Sequence, residues 1–104
     1  MFSFANLFGG SSKIEESLTK ESYLVDVRSP MEFNAGSVPG AVNLPLDTIH
    51  QHADKLKNKK HVVVFCRSGA RSSQAQSILK RKGLTNVDNG GTWQSVAQAV
   101  KNLK

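Results

Sequence analysis

HVVVFCRSGARSS, residues 61–73, decides the fold. Val62 to Phe65 is an apolar run with no polar alternation, rich in β-branched residues and too short for a helix. Such a run marks a strand buried on both faces, as strands inside a parallel sheet are. It stops at Cys66. Arg67, Ser68, Gly69, Ala70 and Arg71 follow, and from Ser72 to Lys82 the spacing predicts a helix with Ala75, Ile78 and Leu79 facing inward and Gly83 as its stop. Strand, tight glycine-bearing loop and helix make one β–α unit.

The same reading extends outward. Ile14–Leu18 predicts a short helix, and Tyr23–Val27 a strand bounded by turn residues. Ser29-Pro30 opens a short helix running to about Ala35. GSVPGAVNLPL, residues 36–46, is an ordered loop or a brief edge strand. Leu46–Lys57 predicts a helix with Ile49, Ala53 and Leu56 on one face. TNVDN, residues 85–89, predicts another strand, and Thr92–Leu103 a closing helix with Trp93, Val96, Ala97, Val100 and Leu103 on its core side. Strands alternating with helices specify an α/β domain: a three-layer arrangement with a central, mostly parallel sheet flanked by helices. Ligands of such sheets lie beyond the carboxyl ends of the strands, where Cys66 falls.

With 104 residues the chain reads as one domain over residues 13–104. Residues 1–12 form an apolar segment and linker in which Phe4, Leu7 and Phe8 share one helical face ahead of GGSS. That face either packs on the core or docks on a membrane surface or partner. Apolar residues at 38% and charged residues at 21% fit a soluble globular chain. A net charge of +6 favours anionic partners. The lysine and arginine clusters sit at expected helix ends and lack interleaved aromatics, which argues against nucleic acid. No apolar run is long enough for an integral membrane segment. A lone cysteine excludes an internal disulfide and a resolving thiol and suits a reducing compartment, with the cytoplasm the expected location. The three histidines show no ligand spacing, so neither a metal nor an organic cofactor is expected.

The loop after Cys66 carries the chemistry. Gly69 permits a sharp bend, and the first turn of the next helix offers unpaired amides. Several amides converging on one point make an anion-binding nest. With Arg67 and Arg71 beside it, a thiolate there is favoured over the thiol. Three chemistries use such a cysteine: sulfur transfer, phosphate-monoester hydrolysis and arsenate reduction. The last needs a second thiol, which the chain lacks. The Cys-x4-Arg spacing from Cys66 to Arg71 is one residue tighter than the Cys-x5-Arg cradle of cysteine phosphatases and suits a smaller terminal sulfur. Asp26 and Arg28 are expected to pair and brace loops, Trp93 to form core or pocket wall, and Gly90-Gly91 to make a turn or a close backbone approach.

Three blocks carry a resemblance to a known family: YLVDVRSPMEFNAGSVPGAVNLPL (23–46), VVVFCRSGARSSQAQSIL (62–79) and NGGTW (89–93). In this order they resemble the single-domain rhodaneses, thiosulfate sulfurtransferases, over about residues 14–100. The resemblance implies a rhodanese-like fold, Cys66 as persulfide-forming nucleophile, and Arg67, Ser68, Gly69, Ala70, Arg71 and Ser72 as the loop that holds substrate. It implies transfer of sulfane sulfur from thiosulfate or a similar donor to cyanide, a small thiol or a thiol protein. An arginine-rich loop is more like thiosulfate users than mercaptopyruvate users. The sequence departs from the family at Ser37, where a histidine often stands, and keeps the cysteine that inactive members lose. The alternatives are a persulfide carrier or docking module with little free turnover and, further off, a cysteine phosphatase or arsenate reductase.

Overall fold

A computed structural model describes residues 14–103. The Phe4/Leu7/Phe8 face lies outside the described residues. After a helical turn at 14–17 come strand β1 (Tyr23–Asp26), helix α1 (Pro30–Ala35), strand β2 (Val42–Asn43), a 3-10 helix (Leu46–His52) continuing into α2 (Ala53–Lys57), strand β3 (Val62–Cys66), helix α3 (Ala70–Arg81), strand β4 (Val87–Thr92) and helix α4 (Trp93–Lys101). The four-stranded sheet has the order β2-β1-β3-β4, and every pairing is parallel.

β3 is wholly buried because it lies between β1 and β4 with layers on both faces. Val62, Val64 and Cys66 face one core with Val25, Ile49, Leu56, Ala75 and Leu79. Val63 and Phe65 face the other with Ile14, Leu18, Val38, Val96 and Ala99. Burying each large side chain of this strand is worth about 1.5–3 kcal/mol. A polar change there therefore costs more than one on the two-residue edge strand β2, whose residues stay half-exposed.

Several boundaries differ from the sequence reading, and three of the differences shape the carboxyl end of the sheet. Cys66 is the last residue of β3 and pairs with Thr92. α3 begins at Ala70 rather than Ser72, so only Arg67, Ser68 and Gly69 separate strand from helix. The early start is possible because Gly69, at φ +97°, takes the left-handed conformation as the helix cap. The last strand runs to Thr92 instead of stopping near Asn89, since a register shift lets Phe65 pair with Gly91 and leaves Gly90 unmatched. At Gly90 a Cβ would meet Val96 Cγ2 at 2.5 Å and Val63 Cγ1 at 2.9 Å, so α4 packs directly on bare backbone. Finally, the expected helix from Leu46 to Lys57 winds as a 3-10 helix as far as His52, although Ile49, Ala53 and Leu56 all point inward as the spacing required.

Candidate active site

Cys66 sits at the carboxyl end of the central strand with no exposed surface. Its Sγ accepts the Gly69 amide at 3.0 Å and the Ser72 amide at 3.4 Å. The Ser72 hydroxyl lies 3.4 Å from Sγ, near enough to turn its proton onto a thiolate. Burial pushes the Cys66 thiol up, but the Ser72 hydroxyl and amide and the Gly69 and Ser68 amides outweigh it, and the thiol falls below its ordinary value of 9.0. The leading contributions come from peptide groups and a hydroxyl, ahead of the arginine charges that the sequence drew attention to.

The loop is held from behind by a residue the sequence reading passed over. Asn89, in β4, accepts the Ser72 hydroxyl at 2.7 Å and the Gly91 amide at 2.8 Å through Oδ1, and its Nδ2 donates to the Gly69 carbonyl at 3.4 Å. It therefore ties both ends of the amide cradle to the strand beside Cys66. Its sequence signal, an amide side chain before a glycine pair, reads equally well as a plain turn.

The two arginines of the loop have different fates. Arg67 is exposed and, among the described residues, takes part in no ion pair. Arg71, in the first turn of α3, is clasped by Glu32 of α1: Nη1 donates to Oε1 at 2.7 Å and Nη2 to Oε2 at 3.0 Å. Ser68 and Ala70 present exposed side chains, and of the two only Ser68 acts on the sulfur, through its amide. Glu32 also closes the capping box of α1, accepting the Ser29 amide at 3.1 Å while the Ser29 hydroxyl receives the Glu32 amide. Arg71 above all, with the Ser29 amide, lowers the Glu32 carboxyl to about 2.

Asp26 and Arg28 pair as expected. Arg28 donates to Asp26 from its amide, Nε and Nη2, Ser37 adds a bond at 2.6 Å, and Arg28 Nη2 also donates to the Gly36 carbonyl at 2.6 Å. The Arg28 guanidinium lies 5.2 Å from the centre of the Trp93 ring, so Trp93 is pocket wall. These groups shape a cleft of about 220 Å3 lined by Arg28, Glu32, Ala35, Gly36, Arg67, Trp93 and Gln94. A neighbouring cleft of about 310 Å3 is lined by Val27, Ser29, Pro45, Leu46, Asp47 and Arg71.

At the opposite ends of the strands the His61 ring joins Ser22 Oγ at 2.7 Å and Asp88 Oδ2 at 2.8 Å. Ser22 Oγ also accepts the Thr19 amide, so this line is a bracket on the turn before β1 and lies away from Cys66. Among the described residues no group of three or more His, Cys, Asp or Glu side chains is placed to hold a metal ion. No helix among them is long and apolar enough to cross a membrane.

Comparison with known proteins gives the family and the fold. Residues 11–94 match the family model for the rhodanese-like domain. A sulfurtransferase of Allochromatium vinosum is 39% identical over 71 residues, covering 68% of this chain and 66% of that protein. Thiosulfate sulfurtransferase PspE of Escherichia coli is 36% identical over 75 residues, covering 70% of this chain and 72% of that protein. A solved structure described as a rhodanese with anions from E. coli superposes with a TM-score of 0.67 at 34% identity, over 73% of this chain and 92% of that one.

Proposed function

The chain belongs to the rhodanese-like domain family, and from that premise we propose that it is a sulfurtransferase that moves sulfane sulfur from thiosulfate to a thiophilic acceptor as a persulfide on Cys66. The observation that carries the reading is the cradle itself: a buried sulfur that accepts the Gly69 and Ser72 amides and is more acidic than an ordinary thiol. Lowering the thiol's pKa raises the share of thiolate, the form that attacks.

The Cys66 thiolate attacks the outer sulfur of thiosulfate. The new S–S bond forms as the old one breaks, and sulfite leaves with the electron pair. The outer sulfur of the persulfide then rests against the amides of Ser68, Gly69, Ala70, Arg71 and Ser72. Arg67, exposed in the wall of the 220 Å3 cleft, draws the anion in. An acceptor such as cyanide, glutathione or a protein cysteine attacks the outer sulfur and returns Cys66 to the thiolate. Nothing in the cycle calls for a metal or organic cofactor, and a thiol that must be regenerated at every turn suits a reducing compartment such as the cytoplasm.

The test is incubation with thiosulfate followed by intact-mass measurement, with Cys66→Ser as control. The expected result is a gain of one sulfur atom on the wild type alone, with one sulfite released; no adduct on the wild type would sink the reading. Complete burial of Cys66 favours one further possibility, a carrier that unloads only to a partner that opens the loop. That version forms the same adduct but turns over negligibly with cyanide or glutathione. Hydrolysis of an aryl phosphate would instead indicate a phosphatase.

A further inference from the structure

Arg71 and Glu32 lie 39 residues apart in sequence and meet in a two-point clasp beside the cysteine loop. We propose that Glu32 stands in for the oxyanion end of the sulfur donor: its carboxylate occupies Arg71 in the resting chain, an incoming oxyanion must displace it, and Glu32 thereby sets how tightly the site holds small anions. The identity of the donor rests on the sulfurtransferase reading; the clasp does not.

A guanidinium fork offers a carboxylate and a sulfur or phosphorus oxyanion the same two parallel N–H donors, so the two compete for one position. Both terminal nitrogens of Arg71 are committed to Glu32, whereas Arg67 takes part in no ion pair among the described residues. The Arg71 and Glu32 side chains remain 37% and 31% exposed. Water and ions therefore reach the pair, and an ion pair of that kind holds only modestly. Glu32 does not depend on Arg71 for its seat. Its Oε1 also accepts the Ser29 amide and hydroxyl, so release of Arg71 leaves the cap of α1 in place and requires only a swing of the arginine. One member of the clasp lines each of the two clefts, so exchange at this point changes both. A carboxyl lowered to about 2 stays ionised throughout the neutral range, which leaves a competing anion, rather than a proton, to open the pair.

The test titrates the full-length chain with sodium sulfate at constant ionic strength, following the backbone amide resonances of residues 68–72. Wild type is compared with Glu32→Gln and with the double variant Glu32→Gln/Arg71→Gln. Glutamine is itself a capping-box residue, so α1 keeps its start. The expected result is a Kd for sulfate about three- to tenfold lower in Glu32→Gln, with the gain lost in the double variant. A Kd unchanged or raised in Glu32→Gln, or a gain that survives the loss of Arg71, overturns the proposal. Sulfate donates no sulfur, so the result does not depend on turnover. A chain that tightens on sulfate as expected yet takes no sulfur from thiosulfate keeps the clasp and loses the sulfurtransferase reading.

Discussion

Two acid–arginine pairs each give one residue to the wall of the same cleft and behave as different materials. Asp26 and Arg28 lie two residues apart at the end of β1, with side chains 0% and 6% exposed, and every oxygen of the carboxylate is taken. Glu32 and Arg71 join two helices and remain about a third exposed. The bonding chemistry is the same; burial separates them. A buried pair is locked, because removing one partner strands a charge away from water. An exposed pair has water as an alternative partner for each half and exchanges at small cost. The first is therefore scaffold, fixing Trp93 and the Gly36 turn, and the second is a fitting that a ligand can replace.

The comparison breaks most decisively at Arg28. Arg28→Ala leaves the Asp26 carboxylate buried and unpaired, and the expected loss is about 3–5 kcal/mol in urea unfolding. A loss below about 1 kcal/mol would put this pair in the same class as the exposed one. Next comes the packing that places the cleft's far wall. Gly90→Ala forces a methyl into Val96 and Val63 and is expected to cost about 1–3 kcal/mol, read from the same unfolding curves. Smaller still in stability, but direct for chemistry, is Asn89→Ala. Loss of Asn89 frees the single proton of the Ser72 hydroxyl for the sulfur, so the thiolate absorbance at 240 nm should titrate at a lower pH than in the wild type. A higher midpoint would show instead that Asn89 matters by holding the Gly69 and Ser72 amides in place.

The smallest effect concerns acid. The folded-state pKa of Glu32 is depressed, so what the clasp adds to stability is present above the ordinary carboxyl value of 4.5 and is lost as pH falls toward about 2. Wild-type and Glu32→Gln unfolding curves should therefore converge across that window. Curves that stay equally separated through it would mean that the carboxylate charge is not what the arginine reads.

What the sequence shows and hides follows the same division between local and distant. β3 is legible because burial on both faces writes itself as an unbroken apolar run, and Gly69 is legible because a strand must turn into a helix there. Asp26 and Arg28 are legible because they are two residues apart. β2 is legible only as one of two alternatives, loop or brief edge strand, since two residues leave no periodicity that would decide between them. The true length of β4 is hidden by the bulge at Gly90, which shifts the alternation halfway along the strand. The same bulge hides Asn89, whose value depends on lying beside Gly69 and Ser72 across the sheet. The role of Glu32 is hidden too, because no local pattern announces a partner 39 positions away.

Cys66 belongs to the hydrophobic interior as fully as Val64 or Ala75 do. Any atom fastened to its sulfur enlarges a side chain inside a close-packed space, where even one added methylene is felt. On the proposed reading, loaded and empty forms of the chain would differ in the way two core variants differ, and cargo on this one atom would register in the melting behaviour of the domain.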